Sequence, residues 1–95
     1  MTVEAARSVA WHALEHAVAS AVPTPRRLAV LGEFMAMGRY WSPPDDRPLW
    51  AYKHVDTRRY VFLDDAGSGY VYDAMSRRYA PVPVACGIAW ARGAV

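Results

Sequence analysis

Residues 57–82, TRRYVFLDDAGSGYVYDAMSRRYAPV, contain three short segments in which aromatic and aliphatic side chains alternate. Such alternation is typical of β-strands, because successive side chains of a strand point to opposite faces of the sheet. The four residues DDAG at 64–67 fit a type I turn with aspartate first and a left-handed glycine last. This turn predicts a hairpin that places Phe62 opposite Tyr70.

The predicted register sorts the side chains of the hairpin into two sets. A second turn at residues 74–77 brings Tyr79 beside Tyr72 and Ala80 beside Val71. One face then carries the rings of Tyr60, Phe62, Tyr70, Tyr72 and Tyr79. The other face carries Val61, Leu63, Val71, Ala80 and Val82. A slip of one residue would mix rings with aliphatic side chains, so their separation supports this register.

Upstream of the hairpin, the spacing of apolar residues predicts two helices. Residues 3–21 carry a stripe of Trp11, Leu14, Val18 and Ala21 at helical spacing. Residues 25–38 continue a helical pattern up to Gly38, a typical C-terminal residue. Residues 41–48, WSPPDDRP, predict a loop because proline removes a backbone donor and disfavours helix before it. From Leu49 the period changes to two, which indicates an edge strand.

These elements predict a single α+β domain, 1–95. Two N-terminal helices pack on the aliphatic face of an antiparallel meander of three to four strands at about 49–82. The C-terminal segment 84–92 fits a short helix or a strand, and we favour the helix. The alternative is that the aromatic face is itself core and packs on the first helix through Trp11.

Composition and charge exclude several classes of protein. An apolar content of 54% with both signs of charge argues against disorder. No run approaches the roughly 18 apolar residues of a membrane span. The single cysteine, Cys86, rules out an intrachain disulfide and suits a reducing compartment. With no signal-peptide pattern at the N-terminus, we expect a cytoplasmic protein.

Motifs that could carry chemistry are weak in this chain. The helix motif His12–Ala13–Leu14–Glu15–His16 matches the H-x-x-E-H pattern of a group of zinc proteases. No following helix offers a third ligand, so we expect these histidines to be structural and partly exposed. Cys86 stands among apolar residues, which predicts a buried and inert thiol. We therefore expect no enzyme activity, no metal and no cofactor.

The function that the sequence favours is a small protein-interaction module, such as an adaptor, inhibitor or regulator. Its predicted surface is the aromatic face with nearby arginines: Arg58, Tyr60, Phe62, Tyr70, Tyr72, Arg77 and Tyr79. Tyrosine, tryptophan and arginine are enriched in protein interfaces. The expected partner is another protein or a second copy in a homodimer, with no membrane partner. Single-stranded nucleic acid is the less favoured alternative, because the net charge is only +2. A metal-dependent hydrolase at the histidine motif ranks third.

Overall fold

The structure is a computed structural model that describes residues 3–42 and 47–94, with side chains described for 9–41 and 47–94. Its elements are α1 (Val3–Ala21), a 3-10 turn (Thr24–Arg26), α2 (Arg27–Leu31), β1 (Phe34–Ser42), β2 (Arg47–His54), β3 (Tyr60–Leu63), β4 (Gly69–Asp73), β5 (Arg78–Val82) and α3 (Val84–Ala91). The strands form one antiparallel sheet in the order β1-β2-β3-β4-β5. The α+β class is confirmed, but the sheet has five strands rather than three or four.

Helix α1 has the predicted bounds, and Leu14 and Val18 of the predicted stripe are buried, but Trp11 is not part of the stripe. Ala10 is also buried, whereas Trp11 is exposed. Position 11 lies about 100° around the helix from position 10, so both cannot face the sheet centre. A small residue at position 10 lets the sheet approach closely, and the Tyr52 hydroxyl donates a hydrogen bond to the Ala10 carbonyl at 2.6 Å.

The prediction of a second helix at 25–38 is wrong in its C-terminal half. Helix α2 ends at Leu31, and residues from Phe34 onward form β1. Alanine and methionine favour helix locally, but pairing of Phe34–Ser42 along the whole of β2 supplies ladder hydrogen bonds that override this preference.

The predictions of a loop at 41–48 and of an edge strand from Leu49 are also wrong in part. Trp41–Ser42 and Arg47–Pro48 belong to β1 and β2, while residues 43–46 lie outside the described residues. Because β1 occupies the outer position, β2 is an interior strand of the sheet. Side chains on both faces of β2 are covered by other residues, since Leu49 on one face and Tyr52 on the other are both fully buried.

The hairpin register is confirmed. Phe62 pairs with Tyr70, and Tyr72 pairs with Tyr79. Gly67 closes the first turn in a left-handed conformation, with φ of +86°, and its N–H donates to the Asp64 carbonyl. Glycine adopts this conformation without steric cost.

The helices cover the aliphatic face of the sheet, as predicted. Val61 and Leu63 are fully buried in one cluster with Leu14 of α1 and Ile88 of α3. Residues 84–91 are helical, which confirms the favoured interpretation of the C-terminal segment. The alternative is wrong in placing α1 on the aromatic face through Trp11, which is exposed. That face nevertheless has a small core of its own, in which Phe62 and Tyr70 are buried with Leu49 and Ala51.

A polar cluster ties three chain segments together at one end of the sheet. The Glu33 carboxylate, just before β1, accepts hydrogen bonds from His54 Nε2 at 2.8 Å and Arg92 Nε at 2.9 Å. His54 is buried, and its Nδ1 accepts the N–H groups of Asp56 and Thr57. The hydrogen bond from Arg92 is the main reason why the pKa of Glu33 lies below its ordinary value.

Among the described residues, no helix combines the length and apolar character needed to cross a bilayer.

Candidate binding groove

The face of the sheet opposite the helices forms a concave surface lined by rings and arginines. We call this surface the aromatic groove. It is a wide, open groove with a volume of about 590 Å³. The residues that line it are Tyr40, Arg58, Arg59, Tyr60, Phe62, Tyr72, Tyr79 and Trp90. Strand pairing explains the placement of its rings, since Phe62 pairs with Ala51 on one side and Tyr70 on the other.

Phe62 is the centre of the ring arrangement. Its side chain is only 4% exposed and forms the floor. It contacts Tyr79 edge to face at 4.7 Å, Tyr40 at 5.8 Å and Tyr60 in a nearly parallel stack at 5.8 Å between centroids. Aromatic pairs in these geometries add to the stabilisation from burial alone. The rings are therefore held in place before any partner binds.

The outer wall of the groove is formed by Tyr72 and Tyr79. Tyr72 contacts Tyr79 edge to face at 5.2 Å and is 48% exposed. Burial raises the pKa of Tyr79, with smaller contributions from Tyr40 and Tyr72. A protonated phenol donates and accepts hydrogen bonds, so this wall offers polar contacts beside apolar rings.

The end of the groove is built where the β2–β3 turn meets the C-terminus of α3. The Thr57 hydroxyl donates to the Ala91 carbonyl at 2.5 Å, and the Arg59 guanidinium donates to the Trp90 carbonyl at 2.8 Å. The Arg59 guanidinium also lies over the Trp90 ring at 4.9 Å. These contacts bring a helix residue to the rim of the opposite sheet face.

Arg58 supplies an exposed cation at the same end. Its backbone has φ of +64°, and its N–H donates to the His54 carbonyl at 3.0 Å, which closes the turn. A left-handed conformation is costly for a residue with a side chain. Among the residues that the structure describes, the lining of the aromatic groove contains two guanidinium groups and no carboxylate. The groove is therefore an apolar surface with a positively charged end.

The structure brings together five of the seven residues that the sequence predicts for this site. Arg58, Tyr60, Phe62, Tyr72 and Tyr79 line the groove. Arg77 lies instead in the turn between β4 and β5, with φ of +58°.

Tyr70, the remaining predicted residue, is buried in a cluster with Leu49, Ala51 and Phe62. It is 7% exposed, and its hydroxyl donates to Asp64 at 2.9 Å and accepts a hydrogen bond from Arg47. Burial, followed by the contact with Asp64, raises its pKa. Its hydroxyl is thus committed to internal contacts, which leaves little of it for a partner.

Sequence reasoning missed three lining residues: Tyr40, Arg59 and Trp90. Tyr40 lies in β1, whose N-terminal part carries a helical pattern in the sequence. Trp90 belongs to a helix on the other side of the sheet and lies at the groove where Arg59 and Thr57 contact the end of α3. A signal for Arg59 was present, because it directly precedes a strand that contributes two rings.

A second groove adjoins the first and shares Tyr72 and Trp90 with it. It lies between α3 and strands β4 and β5 and encloses about 640 Å³. Its lining is apolar apart from Asp73, whose carboxylate already accepts hydrogen bonds from Met75 N and the Ser76 hydroxyl. Cys86 is exposed in this groove, so the prediction of a buried thiol is wrong. The helix turns Cys86 outward and Gly87 inward against Val61.

The histidine motif lies on the exposed side of α1. His12, Glu15 and His16 are all exposed, in agreement with the structural interpretation. His12 and His16 line a shallow surface beside the Asp64–Gly67 turn. The nearby Asp65 carboxylate is already engaged by Arg39 at 2.8 Å. Within residues 3–42 and 47–94, no three histidine, cysteine, aspartate or glutamate side chains converge to hold a metal ion.

Comparison with protein-family models, curated proteins and solved structures gives no match for this chain. Any function must therefore be inferred from the chemistry of the described surface.

Proposed function

We propose that this protein is a non-enzymatic interaction module that binds an acidic segment of another protein in the aromatic groove. The observation that carries the proposal is the composition of the lining, which within the described part of the chain consists of packed rings and two guanidinium groups without a carboxylate. Rings bury apolar area at low cost in side-chain entropy, and arginine pairs with carboxylates through parallel hydrogen bonds.

The partner segment that fits best carries an aromatic or large aliphatic side chain flanked by aspartate or glutamate. The apolar side chain would lie against Phe62 and the ring of Tyr72, the more exposed of the tyrosines on the outer wall. The flanking carboxylate would meet Arg58 at the end of the groove. Net charge of only +2 favours such a short acidic segment over the continuous phosphate backbone of a nucleic acid.

Selection from a random peptide library displayed on phage tests this proposal without knowledge of the natural partner. The full chain is immobilised, and enriched peptides are then measured against two variants. Tyr72→Ala removes an exposed ring from the groove. Met75→Ala removes an almost fully exposed apolar side chain from the β4–β5 turn and serves as the matched control.

We expect enriched peptides to contain an aromatic residue next to acidic residues and to bind Tyr72→Ala at least about tenfold more weakly than Met75→Ala. Circular dichroism and urea unfolding confirm that both variants remain folded. Peptides without acidic residues, or equal binding to both variants, would overturn the proposal.

Binding of single-stranded nucleic acid is tested with the same pair of variants. Labelled oligothymidine and a mixed-sequence RNA are titrated at low and moderate salt. Tight binding with a steep salt dependence and sensitivity to Tyr72→Ala would assign the groove to nucleic acid instead.

A further inference from the structure

The end of the aromatic groove at the β2–β3 turn carries a cluster of three cations. Arg58 and Arg59 line the groove at this end. Lys53 pairs with Tyr60 across β2 and β3, and directly paired residues lie on the same face of a sheet. The Lys53 Nζ lies 5.9 Å from the Tyr60 ring centroid. The cluster therefore adjoins the rings of the groove.

Carboxylates at this end leave most of the positive charge uncompensated. Asp56 is the one acidic residue among residues 53–60, and it is exposed in the turn. Glu33 lies at the same end of the sheet, but its carboxylate is already paired with Arg92 at 2.9 Å. The Nδ1 of His54 accepts backbone N–H groups, so this ring adds no positive charge. Residues 53–60 therefore present three cations against one carboxylate.

The three cations differ in how firmly they are held. The Arg59 guanidinium donates to the Trp90 carbonyl at 2.8 Å and lies over the Trp90 ring, so it is a fixed charge. Arg58 is exposed on the turn, and Lys53 is half-buried with a flexible stem and three rotatable donors. Arg58 and Lys53 can therefore contact an anion directly, while Arg59 adds to the positive potential around it.

We propose that the anion recognised at this end is a phosphate group on the partner segment, so that phosphorylation of the partner strengthens its binding. This regulation rests on the function proposed above, because it acts on the same groove. A phosphoserine carries a charge of about −1.5 to −2 at pH 7 and three acceptor oxygens, whereas an aspartate carries a single charge and two oxygens. The phosphate therefore matches the excess positive charge of the cluster, and a single carboxylate leaves about half of it uncompensated.

The arrangement of rings and cations places the phosphate close to the apolar anchor in the sequence of the partner. Tyr60 stacks on Phe62, the floor of the groove, at 5.8 Å between centroids, and the Lys53 Nζ lies 5.9 Å beyond the Tyr60 centroid. Each of these distances is shorter than two residues of extended chain, roughly 7 Å. The phosphorylated residue is therefore within about four residues of the side chain that lies against Phe62.

Isothermal titration with four synthetic peptides tests the proposal. The parent is an acidic peptide selected on the wild-type chain, with an acidic position within about four residues of its aromatic residue. Three peptides carry aspartate, phosphoserine or serine at that position. The fourth carries two adjacent aspartates, which match the charge of phosphoserine without its tetrahedral phosphate. All are measured at about 0.15 M salt, where long-range attraction is screened.

We expect the phosphoserine peptide to bind at least about tenfold more tightly than the aspartate peptide and at least about threefold more tightly than the two-aspartate peptide. The serine peptide should bind most weakly.

Three variants locate the phosphate. The advantage of phosphoserine over aspartate should fall below about threefold in Arg58→Gly and in Lys53→Met. Arg77→Gly changes an arginine with the same left-handed backbone outside the described lining of the groove, and it should keep the full advantage. Because two peptides are compared on one protein, a general loss of stability or of groove shape does not produce this pattern. Urea unfolding confirms that the variants are folded.

Equal binding of the phosphoserine and aspartate peptides would overturn this inference and leave binding of the acidic segment intact. Equal binding of the phosphoserine and two-aspartate peptides would also overturn it, because charge alone would then explain the affinity. A phosphoserine advantage that persists in both Arg58→Gly and Lys53→Met would remove the phosphate from this end of the groove. Absence of binding by all four peptides would overturn the proposed function as well.

Oligothymidine is titrated in parallel, because its phosphates could occupy the same cations. The excess charge of the cluster corresponds to one phosphate group rather than to a continuous backbone. We therefore expect the phosphoserine peptide to bind more tightly. Tighter binding of oligothymidine, with a loss in Arg58→Gly, would overturn the inference in favour of nucleic acid.

Discussion

Replacing Glu33 by alanine is expected to destabilise the protein strongly, although the carboxylate is only partly buried. The buried Nε2 of His54 loses its acceptor at 2.8 Å, and an unsatisfied buried donor costs about 1–3 kcal/mol. The pair with Arg92 is a quarter to a third exposed and contributes a further ~0.2–1 kcal/mol. We expect a loss of about 2–3 kcal/mol, a large part of the total of roughly 5–14 kcal/mol for a chain of this length.

Urea unfolding followed by tryptophan fluorescence measures this loss. Glu15→Ala is the matched control, since Glu15 is an exposed glutamate on α1 and is expected to change the free energy of unfolding by less than about 0.5 kcal/mol. If Glu33→Ala fell within that same range, the role assigned to the Glu33–His54–Arg92 cluster would be refuted.

Glu33→Gln extends the same reasoning to pH. The amide oxygen still accepts from His54, but the charge that Arg92 stabilises is removed. The folded pKa of Glu33 lies below its ordinary value, chiefly because Arg92 donates to the carboxylate. The ionised carboxylate therefore contributes stability that is present above about pH 4.5 and is lost as the pH falls through the folded pKa. Between pH 6 and 3, wild-type stability should decline more steeply than that of Glu33→Gln; parallel curves would contradict this.

Two further substitutions, with Gly32→Ala as a control for the second, test the contact of α1 with the sheet and the close approach of β4 and β5. Tyr52→Phe removes the hydroxyl that donates to the Ala10 carbonyl and is expected to cost about 1 kcal/mol in urea unfolding; a change below about 0.3 kcal/mol would argue against this contact. Gly69→Ala places a methyl group 3.0 Å from the Val82 carbonyl oxygen, so the backbones of β4 and β5 must separate at a cost of about 1–3 kcal/mol. The methyl group added by Gly32→Ala meets only ordinary contacts at 3.5 Å or more. This change is expected to leave the free energy of unfolding unaltered or to raise it by up to about 1 kcal/mol. Equal losses of unfolding free energy at Gly69 and Gly32 would contradict the close approach of β4 and β5.

The hairpin at residues 57–82 could be predicted from sequence because its signals are local. The DDAG turn sets the register, and the register alone separates rings from aliphatic side chains. Helix α1 was equally predictable, since its apolar spacing extends over five turns. Trp11 was wrongly assigned to the buried stripe because the residues buried beside Leu14 and Val18 are Ala10 and Ala17, which carry little hydrophobic signal.

Strand β1 could not be predicted because its evidence lies in another part of the chain. Residues 34–37 are good helix formers, and only pairing with β2 makes them a strand. This error also hid two features of the site. Tyr40 joins the groove only when β1 lies beside β2, and Trp90 does so only because Arg59 and Thr57 hold the end of α3.

The most direct test of the binding proposal compares two arginines in equivalent backbone conformations. Arg58 and Arg77 both have positive φ, so glycine at either position relieves strain and preserves the fold. Of these two arginines, Arg58 lines the aromatic groove and Arg77 does not. For an acidic peptide selected on the wild-type chain, isothermal titration should show a dissociation constant at least about tenfold higher for Arg58→Gly, as expected for loss of a charge-assisted contact. Arg77→Gly should bind like wild type. Equal affinities of all three proteins, or a loss at Arg77 alone, would contradict the assignment of the groove as the binding site.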